Sequence, residues 1–481
     1  MSRELEPVIG LEIHVQLATE TKMFCGCRLS FGDEPNTHIC PVCLGHPGVL
    51  PNLNRRAVEF ALRIAMALEC EVAEVSTFAR KNYFYPDLPK GYQISQFDRP
   101  VAVDGRLGDV RIHRAHLEED AAKLSHLGST GRIHGSGESV VDFNRGGTPL
   151  VEIVSEPDIR SAGEAREWAQ LLRATVASLG VSDCNMEEGS LRVDANVSVR
   201  PVGSEELGVK TELKNMNSFR FLERGIDAEI ARQREIVESG GRVEQETLHF
   251  HPDDGSLTPM RSKEFAHDYR YFPEPDLVPV EPTSQMLDEA RSSLPELPAQ
   301  RQSRYEEDLG LPADTASTLA FQPELAGFFE SALAISGEGS VQPLGNWVTG
   351  ELVAALREAG FGSSVENSRL KPDELGSLVA MVEDKEISHS AAKQLLAKLV
   401  VEGGSARDLV ESEGLAQISD ESEVDSIIKG AIAAEPEAAE QVRSGNDKAI
   451  GRIVGAAMKA SQGRLDGGEA RKRILDQLAD G

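Results

Sequence analysis

"VIGLEIHVQL" occupies residues 8–17, and its alternation decides the fold class. Successive side chains of an extended chain point to opposite faces, so Leu11, Ile13, Val15 and Leu17 share one side while Glu12, His14 and Gln16 share the other. One face can join a core and the other stays polar, the signature of an antiparallel sheet covered on one side. The pattern recurs downstream. In "SLRVDANVSVR" (190–200), Leu191, Val193, Ala195, Val197 and Val199 oppose Arg192, Asp194, Asn196, Ser198 and Arg200. "GVKTELKN" (208–215) puts Lys210, Glu212 and Lys214 on one side, and "TPLVEIVSEP" (148–157) sets Glu152 in an otherwise apolar strand. "HRAHLEEDAAK" (113–123) adds His116, Glu118, Glu119 and Asp120.

Carboxylates arriving from separate strands are what Mg2+ requires, because this hard ion takes oxygen ligands and brings nucleotide phosphates with it. Arg and Lys on the same face could neutralise phosphoryl charge in a transition state. No G-x-x-x-x-G-K-[ST] stretch occurs anywhere, which excludes a P-loop NTPase; a nucleotide would have to lie on an open sheet.

Four of the six cysteines fall in "MFCGCRLSFGDEPNTHICPVCLGHPG" (23–48). Cys25 and Cys27 form C-x-C, and Cys40 and Cys43 form C-x-x-C. Two such chelating turns close a tetrahedral site with Zn–S distances of ~2.3 Å, leaving no open position for a substrate. His38 or His46 could replace a thiolate. Arg28 is the one cation between the two pairs, so this is a poor nucleic-acid finger and a good staple for a Gly/Pro-rich loop. Cys70 and Cys184 read as small buried hydrophobes.

The chain has 481 residues, roughly three domains at about 150 residues each. With 40% hydrophobic and 27% charged residues it has the composition of a globular protein. No apolar run approaches the ~18 residues of a membrane span, and "MSRELEPVIG" shows no signal or transit pattern. The expected location is the cytosol, where thiols stay reduced. A net charge of −29 argues against coating a long polyanion, so any RNA contact must come from locally placed cations.

"VIGLEIHVQL", "PGVLPNLNRRAVEFALRIAMAL", "RKNYFYPDLPKGYQISQFD", "HLEEDAAK", "DFNRGGTPLVEIVSEPD", "MEEGSLRVDANVSVR", "TELKNMNSF" and "DYRYFPEPDLVPV" together resemble the B-subunit family of the tRNA-dependent glutamyl/aspartyl amidotransferases, in order and over essentially the whole chain. The resemblance implies an α+β protein. Its first domain would be a curved antiparallel-sheet cradle of the glutamine synthetase/guanido kinase type, followed by two small all-α domains. It implies ATP-dependent phosphorylation of the side-chain carboxyl of misacylated Glu-tRNA(Gln) or Asp-tRNA(Asn), then displacement of phosphate by ammonia. Ammonia would come from a separate amidase (glutaminase) subunit, and a third, small subunit would complete a heterotrimer. No Gly/Ser-rich amidase signature is present, and Cys184 in "SDCNMEE" has no recognisable base motif.

Residue by residue, the resemblance carries Glu12, His14, Glu119 and Glu152 as Mg2+ ligands or ligand-supporting groups, and Lys81 and Lys90 as lysines on the ammonia route. Arg192, Asp194 and Lys210 are expected on the nucleotide side, with Glu118 a further candidate. Cys25, Cys27, Cys40 and Cys43 match the form of the family that keeps zinc.

After "DLVPVEPTSQ" (276–285) the composition changes, and helical periodicity sets in from about Leu294. The expected domains are 1–293, 294–405 and 406–481, the last break marked by "VEGGSARDL" (401–409). "GNWVTGELVAALREAG" (345–360) reads as a cap followed by an amphipathic helix, with Trp347 in the core. In "SGNDKAIGRIVGAAMKASQGR" (444–464), a helix from about Asn446 places Lys448, Arg452 and Lys459 in one stripe opposite Ile450, Val454, Ala457 and Met458. Arg464 and "ARKR" (470–473) extend the basic region, which resembles the family's tRNA-binding module. Two rivals stay open: a non-catalytic RNA-binding scaffold, and the archaeal-type paralogue, whose extra inserted domain the stretch 294–405 is too short to hold.

Overall fold

The computed structural model describes residues 4–127, 137–260, 269–362, 364–416, 421–444, 446–461 and 464–479. Met1, Ser2, Arg3, Asp268, Gly445, Gln462 and Gly463 of the stretches quoted above lie outside the described residues. The chain divides into two compact units, Met1–Ala299 and Gln300–Gly481.

Among the described residues, the first unit carries fourteen strands: β1 (Leu5–Gln16), β2 (Glu71–Val72), β3 (Ala79–Asn82), β4 (Tyr92–Ser95), β5 (Ala102–Leu107), β6 (Val110–Glu119), β7 (Lys123–Leu127), β8 (Glu138–Asp142), β9 (Pro149–Ser155), β10 (Leu191–Pro201), β11 (Thr211–Lys214), β12 (Thr247–Phe250), β13 (Leu257–Pro259) and β14 (Phe272–Pro273). Nine form one sheet in the order β13-β12-β11-β10-β1-β9-β6-β5-β2. A second sheet is β14-β3-β4, and β7 pairs with β8.

β1 sits at the centre of the large sheet, between β10 and β9. Leu11, Ile13 and Val15 are at most 1% exposed, and each such burial contributes ~1.5–3 kcal/mol. Helices α1 (Arg55–Ala67), α2 (Ala162–Ser178) and α3 (Phe219–Glu238) supply most of the helical residues of their cluster, and the helix Ser284–Ser292 adds Ala290. The first three each start at a side-chain cap that satisfies first-turn N–H groups, respectively Asn54, Ser161 and Ser218. The helices consume the apolar face, leaving the other face for Glu12, His14 and Gln16.

The sheet departs from a purely antiparallel expectation at one place. β11 and β12 are parallel, with Leu213 opposite Leu248. The cause is α3, the crossover that a parallel connection needs. Its Gln233 donates to the Val197 carbonyl and its Glu229 accepts from the Thr211 hydroxyl, tying the helix to both β10 and β11.

Among the described residues, the second unit has no strand, only an isolated bridge between Ile387 and Ala416. Two separate apolar clusters hold it. The first includes Leu319, Phe329, Trp347, Leu375 and Leu395; the second includes Ile428, Ala438, Ile453 and Ile474. The stretch 345–360 is not capped at Asn346, which is helical (φ −64°, ψ −43°) and makes no side-chain cap. The chain is already helical from Val341, passes through a π-helical turn at Trp347–Leu352 and continues as Val353–Glu358. Trp347 is 4% exposed, in the core as expected. No helix among the described residues is long and apolar enough to cross a membrane.

Candidate functional site

Strand register builds the site. His14 lies directly opposite Glu152 on β9, and Glu152 directly opposite His116 on β6. Side chains so paired across neighbouring strands stand within reach of one another. His14 Nε2 lies 3.4 Å from Glu152 and 3.7 Å from Glu118; His116 Nε2 lies 3.3 Å from Glu152 and 3.8 Å from Glu118. One ligand atom each from His14, Glu118 and Glu152 fall within 4.8 Å of one another, a spacing that could hold a cation.

Burial works against charge in this nest, but the ion pairs outweigh it. The His116 imidazole is pushed up to about 9 by Glu152 and Glu118 despite its burial, and His14 is raised for the same reasons. Glu152 is held well below the carboxylate range, mainly by His116 against the cost of burial, and Glu118 is also lowered. The Lys81 ammonium is raised, burial being overcome by Glu118 and the Tyr271 and Glu152 groups, and it sits 4.9 Å from the Tyr269 ring centre.

Beside this nest the polar face continues. Glu12 is opposite Asp194 and accepts from Asn196 at 2.9 Å; His14 is opposite Arg192. Arg192 donates to Asp120 at 3.1 Å, and Asp120 also accepts from Gln16 at 2.8 Å. Lys214 binds Asp194 at 2.6 Å and Glu212 at 2.7 Å. Two buried atoms here, Arg192 Nε and His116 Nδ1, have no hydrogen-bond partner. Buried polar atoms rarely stay unpaired, so these are places where a ligand would find donors.

The structure therefore brings together His14 and Glu152 of the expected set, with Glu12 one step along the same face. It does not bring Glu119. Strand alternation turns Glu119 to the opposite face from Glu118, where it accepts from Lys90 and from the Ile94 backbone N–H at 2.9 Å. Lys210 lies exposed just before β11, and Lys214 rather than Lys210 makes the ion pairs to the carboxylates. Glu118 and His116 carried a signal that was available: as i and i+2 in a strand they share a face, and Glu119 cannot join them.

The four cysteines Cys25, Cys27, Cys40 and Cys43 converge, their sulfurs within 4.8 Å of one another. Cys43 Sγ lies 3.9 Å from Cys40 Sγ, close to the edge of a tetrahedron with ~2.3 Å bonds. The Cys43 thiol is depressed to about 4 by the hydrogen bond from Cys25, with help from Lys22; burial pushes Cys27 up to about 11. Cys25 is raised by its hydrogen bond to Cys43 and by burial, so one proton is shared within the cluster, and it is the spacing of the four sulfurs that fits zinc. His38 is not part of it: its imidazole meets Asp33 at 2.7 Å. Lys22 gave no signal in the sequence, yet it is 1% exposed and donates to the Phe143 carbonyl.

A family model described as the GatB/GatE catalytic domain matches residues 7–288, and one described as the GatB domain matches residues 327–478. The chain belongs to the GatB/GatE family. It is 48% identical to proteins named as the B subunit of aspartyl/glutamyl-tRNA(Asn/Gln) amidotransferase from Persephonella marina and Moorella thermoacetica, over 99% of this chain and 99% and 100% of theirs. The protein of that name from Geotalea uraniireducens is 48% identical over 98% of each chain.

The GatB-domain match includes the basic tail. Lys448 lies in a 3-10 turn, Asp447–Ala449, ahead of the helix Ile450–Ala460, so the α-helix starts later than Asn446. Its buried face is Ile450, Ile453 and Ala457; Val454 and Met458 are only half-buried. Arg452 pairs with Glu435 at 2.7 Å and Arg464 with Glu423 at 3.8 Å, whereas Lys448 and Lys459 are exposed.

Proposed function

We propose that this chain is the kinase and transamidase component of an amidotransferase that converts Glu-tRNA(Gln) and/or Asp-tRNA(Asn) to Gln-tRNA(Gln) and Asn-tRNA(Asn). The convergence of His14, Glu118 and Glu152 beside Lys81 is the observation that carries this reading. A carboxylate does not react usefully with ammonia, because its leaving group would be oxide. Transfer of the γ-phosphoryl group of ATP to a carboxylate oxygen, with release of ADP, supplies phosphate as the leaving group. Ammonia then attacks the acyl carbon, phosphate departs, and the nitrogen loses a proton to give the amide.

His14, Glu118 and Glu152 would hold Mg2+, with His116 and Glu12 supporting them; bound there, the ion would draw charge from the phosphoryl oxygens. Glu118 takes the place expected of Glu119. Lys81, expected on the ammonia route, is read instead as facing developing phosphoryl charge because Glu118 and Glu152 are its electrostatic neighbours, and Arg192, with its unpaired Nε, faces the same charge. Asp194 and Lys214 border the nucleotide side. Lys90, bound to Glu119, lines the approach of ammonia.

We read the large sheet as the curved cradle of the glutamine synthetase/guanido kinase type and propose domains divided near 293 and, in place of 405, after Ala416, because Ala406 and Leu415 are buried in the first helical cluster. The partners are an amidase (glutaminase) subunit and a third, small subunit, together forming a heterotrimer in the cytoplasm. Zinc in the four-cysteine site is structural, and Lys448, Arg452, Lys459 and Arg464 meet tRNA phosphates. The test is ATP consumption by the assembled complex. Adding Glu-tRNA should trigger Mg2+-dependent release of ADP in the wild type and none with Glu152→Gln. Undiminished ADP release by that variant refutes the site, and no tRNA-triggered release at all favours the scaffold reading.

A further inference from the structure

The four-cysteine loop and the Lys90–Glu119 pair are two walls of one cavity. This space, about 200 Å3, is lined by Cys25, Cys43, Gly45 and His46 on one side and by Lys90 and Glu119 on the other. The walls touch. Gly45 has φ +67°, and a Cβ built on it would overlap the Cγ of Lys90 and stand 3.1 Å from its Cα. The C-x-x-C turn thus lies with bare backbone against the Lys90 main chain and the root of its side chain.

The turn itself is tightly folded. Cys40 N–H donates to Cys43 Sγ at 3.1 Å, Gly45 N–H to the Val42 carbonyl at 3.0 Å and His46 N–H to the Pro41 carbonyl at 2.9 Å. Cys40 and Cys43 lie at its two ends, so an ion held by both sulfurs would fix the turn further. From the far side of the stem, the Lys90 ammonium reaches Glu119, which is fixed by the Ile94 N–H and by Gln93 donating to its backbone carbonyl at 2.7 Å. The Lys90 side chain is 11% exposed and that of Glu119 is 5% exposed. A long, flexible lysine is held at both ends, by Gly45 at the root and by Glu119 at the tip.

We infer that the Cys40–Gly45 turn is a clamp on Lys90, so that metal occupancy of the four thiolates decides whether the Lys90–Glu119 pair is made. Gly45 is then a positioning residue, one that acts through Lys90 and not on any reactant. The inference rests on the reading of the cysteines as a zinc site and of Lys90 as a lysine on the ammonia path, and it gives the staple a mechanistic consequence. Loosening the turn opens a 200 Å3 chamber to solvent beside an unanchored ammonium, while the His14–Glu118–Glu152 nest lies on the other face of β6.

The experiment is acetylation of lysines by acetic anhydride in the complete heterotrimer, read by peptide mass spectrometry. Three samples are compared: wild type, wild type stripped with 1,10-phenanthroline, and Gly45→Ala. Lys385, exposed in the other unit, is the internal standard. Acylation requires the amine to leave its partner, so the rate reports the open population. Removing zinc should raise Lys90 labelling roughly fivefold or more relative to Lys385, since a buried ion pair opens rarely. Gly45→Ala should do the same with zinc retained, since an alanine there meets both a strained φ and the Lys90 stem. If Gly45→Ala does not fold, the stripped wild type decides alone. Unchanged Lys90 labelling after confirmed loss of zinc overturns the clamp, as does a native chain that carries no zinc. Labelling that rises while amide formation from added ammonium is unimpaired upholds the clamp and removes Lys90 from the ammonia path.

Discussion

Changing Lys448 and Lys459 to glutamine should lower the salt dependence of tRNA binding by an amount the structure fixes. Four cations of the tail are offered to phosphate, but they are not equivalent. Arg452 is neutralised by Glu435 at 2.7 Å and Arg464 is near Glu423 at 3.8 Å, so only the two lysines offer uncompensated charge. Each phosphate contact contributes ~0.9 to the slope of log Kobs against log salt, so losing two reduces the slope by about 1.8. Between 50 and 200 mM salt, the ratio of wild-type to variant affinity should therefore shrink by about 12-fold. Arg452→Gln should change the slope by much less than one unit. The assay is fluorescence anisotropy of labelled tRNA titrated with the heterotrimer at four salt concentrations. With an overall charge of −29, contact with a polyanion depends on locally placed cations such as these. Parallel salt plots for wild type and the double variant would refute the reasoning. So would an Arg452→Gln effect equal to that of either lysine.

Three further outcomes follow from the geometry. Lys214→Met leaves Asp194 and Glu212 unneutralised on the proposed nucleotide side, and an uncompensated carboxylate pair repels a polyphosphate by on the order of 1 kcal/mol at partly exposed positions. The KM for ATP should therefore rise severalfold in steady-state kinetics, and an unchanged value would remove Lys214 from the nucleotide side. Cys40→Ser should abolish zinc binding, read as loss of one equivalent by elemental analysis, because three thiolates and a hydroxyl hold the ion far more weakly. Glu229→Ala strips the Thr211 hydroxyl, the Gln233 amide and the Arg232 guanidinium of a fully buried acceptor. It should cost about 3 kcal/mol and lower the first unfolding transition by several degrees in scanning calorimetry, with no shift counting against the network.

The alternation of Leu11 to Gln16 was readable because a half-buried strand writes its two faces into the sequence. The two chelating pairs were readable because chelation needs fixed spacing. What the sequence did not state is register. Nothing in "TPLVEIVSEP" says that Glu152 will stand between His14 and His116; that follows only when β1, β9 and β6 are laid side by side. Glu118 and Glu119 show the difference between missing information and unused information. Strand alternation already separated them, and matching a motif by resemblance chose Glu119, whose partners are Lys90 and the Ile94 N–H rather than the nest. Lys210 and Lys214 share a parity, but only Lys214 lies within the paired part of β11, so the strand start, a boundary that local sequence marks poorly, chose between them. The parallel pair β11–β12 was hidden because a crossover helix reads in sequence like any other amphipathic helix.

The account stands on a divalent cation held by His14, Glu118 and Glu152, with Glu119 engaged elsewhere. Titration of the heterotrimer with Mn2+ as a spin probe, followed by electron paramagnetic resonance, addresses this directly. Wild type should bind one ion at this site; Glu118→Gln should weaken it by at least ~10-fold, the lower end for losing a group that orients or ligates a metal. Glu119→Gln should bind Mn2+ as wild type does. Equal weakening by the two substitutions, or none by Glu118→Gln, would contradict the assignment.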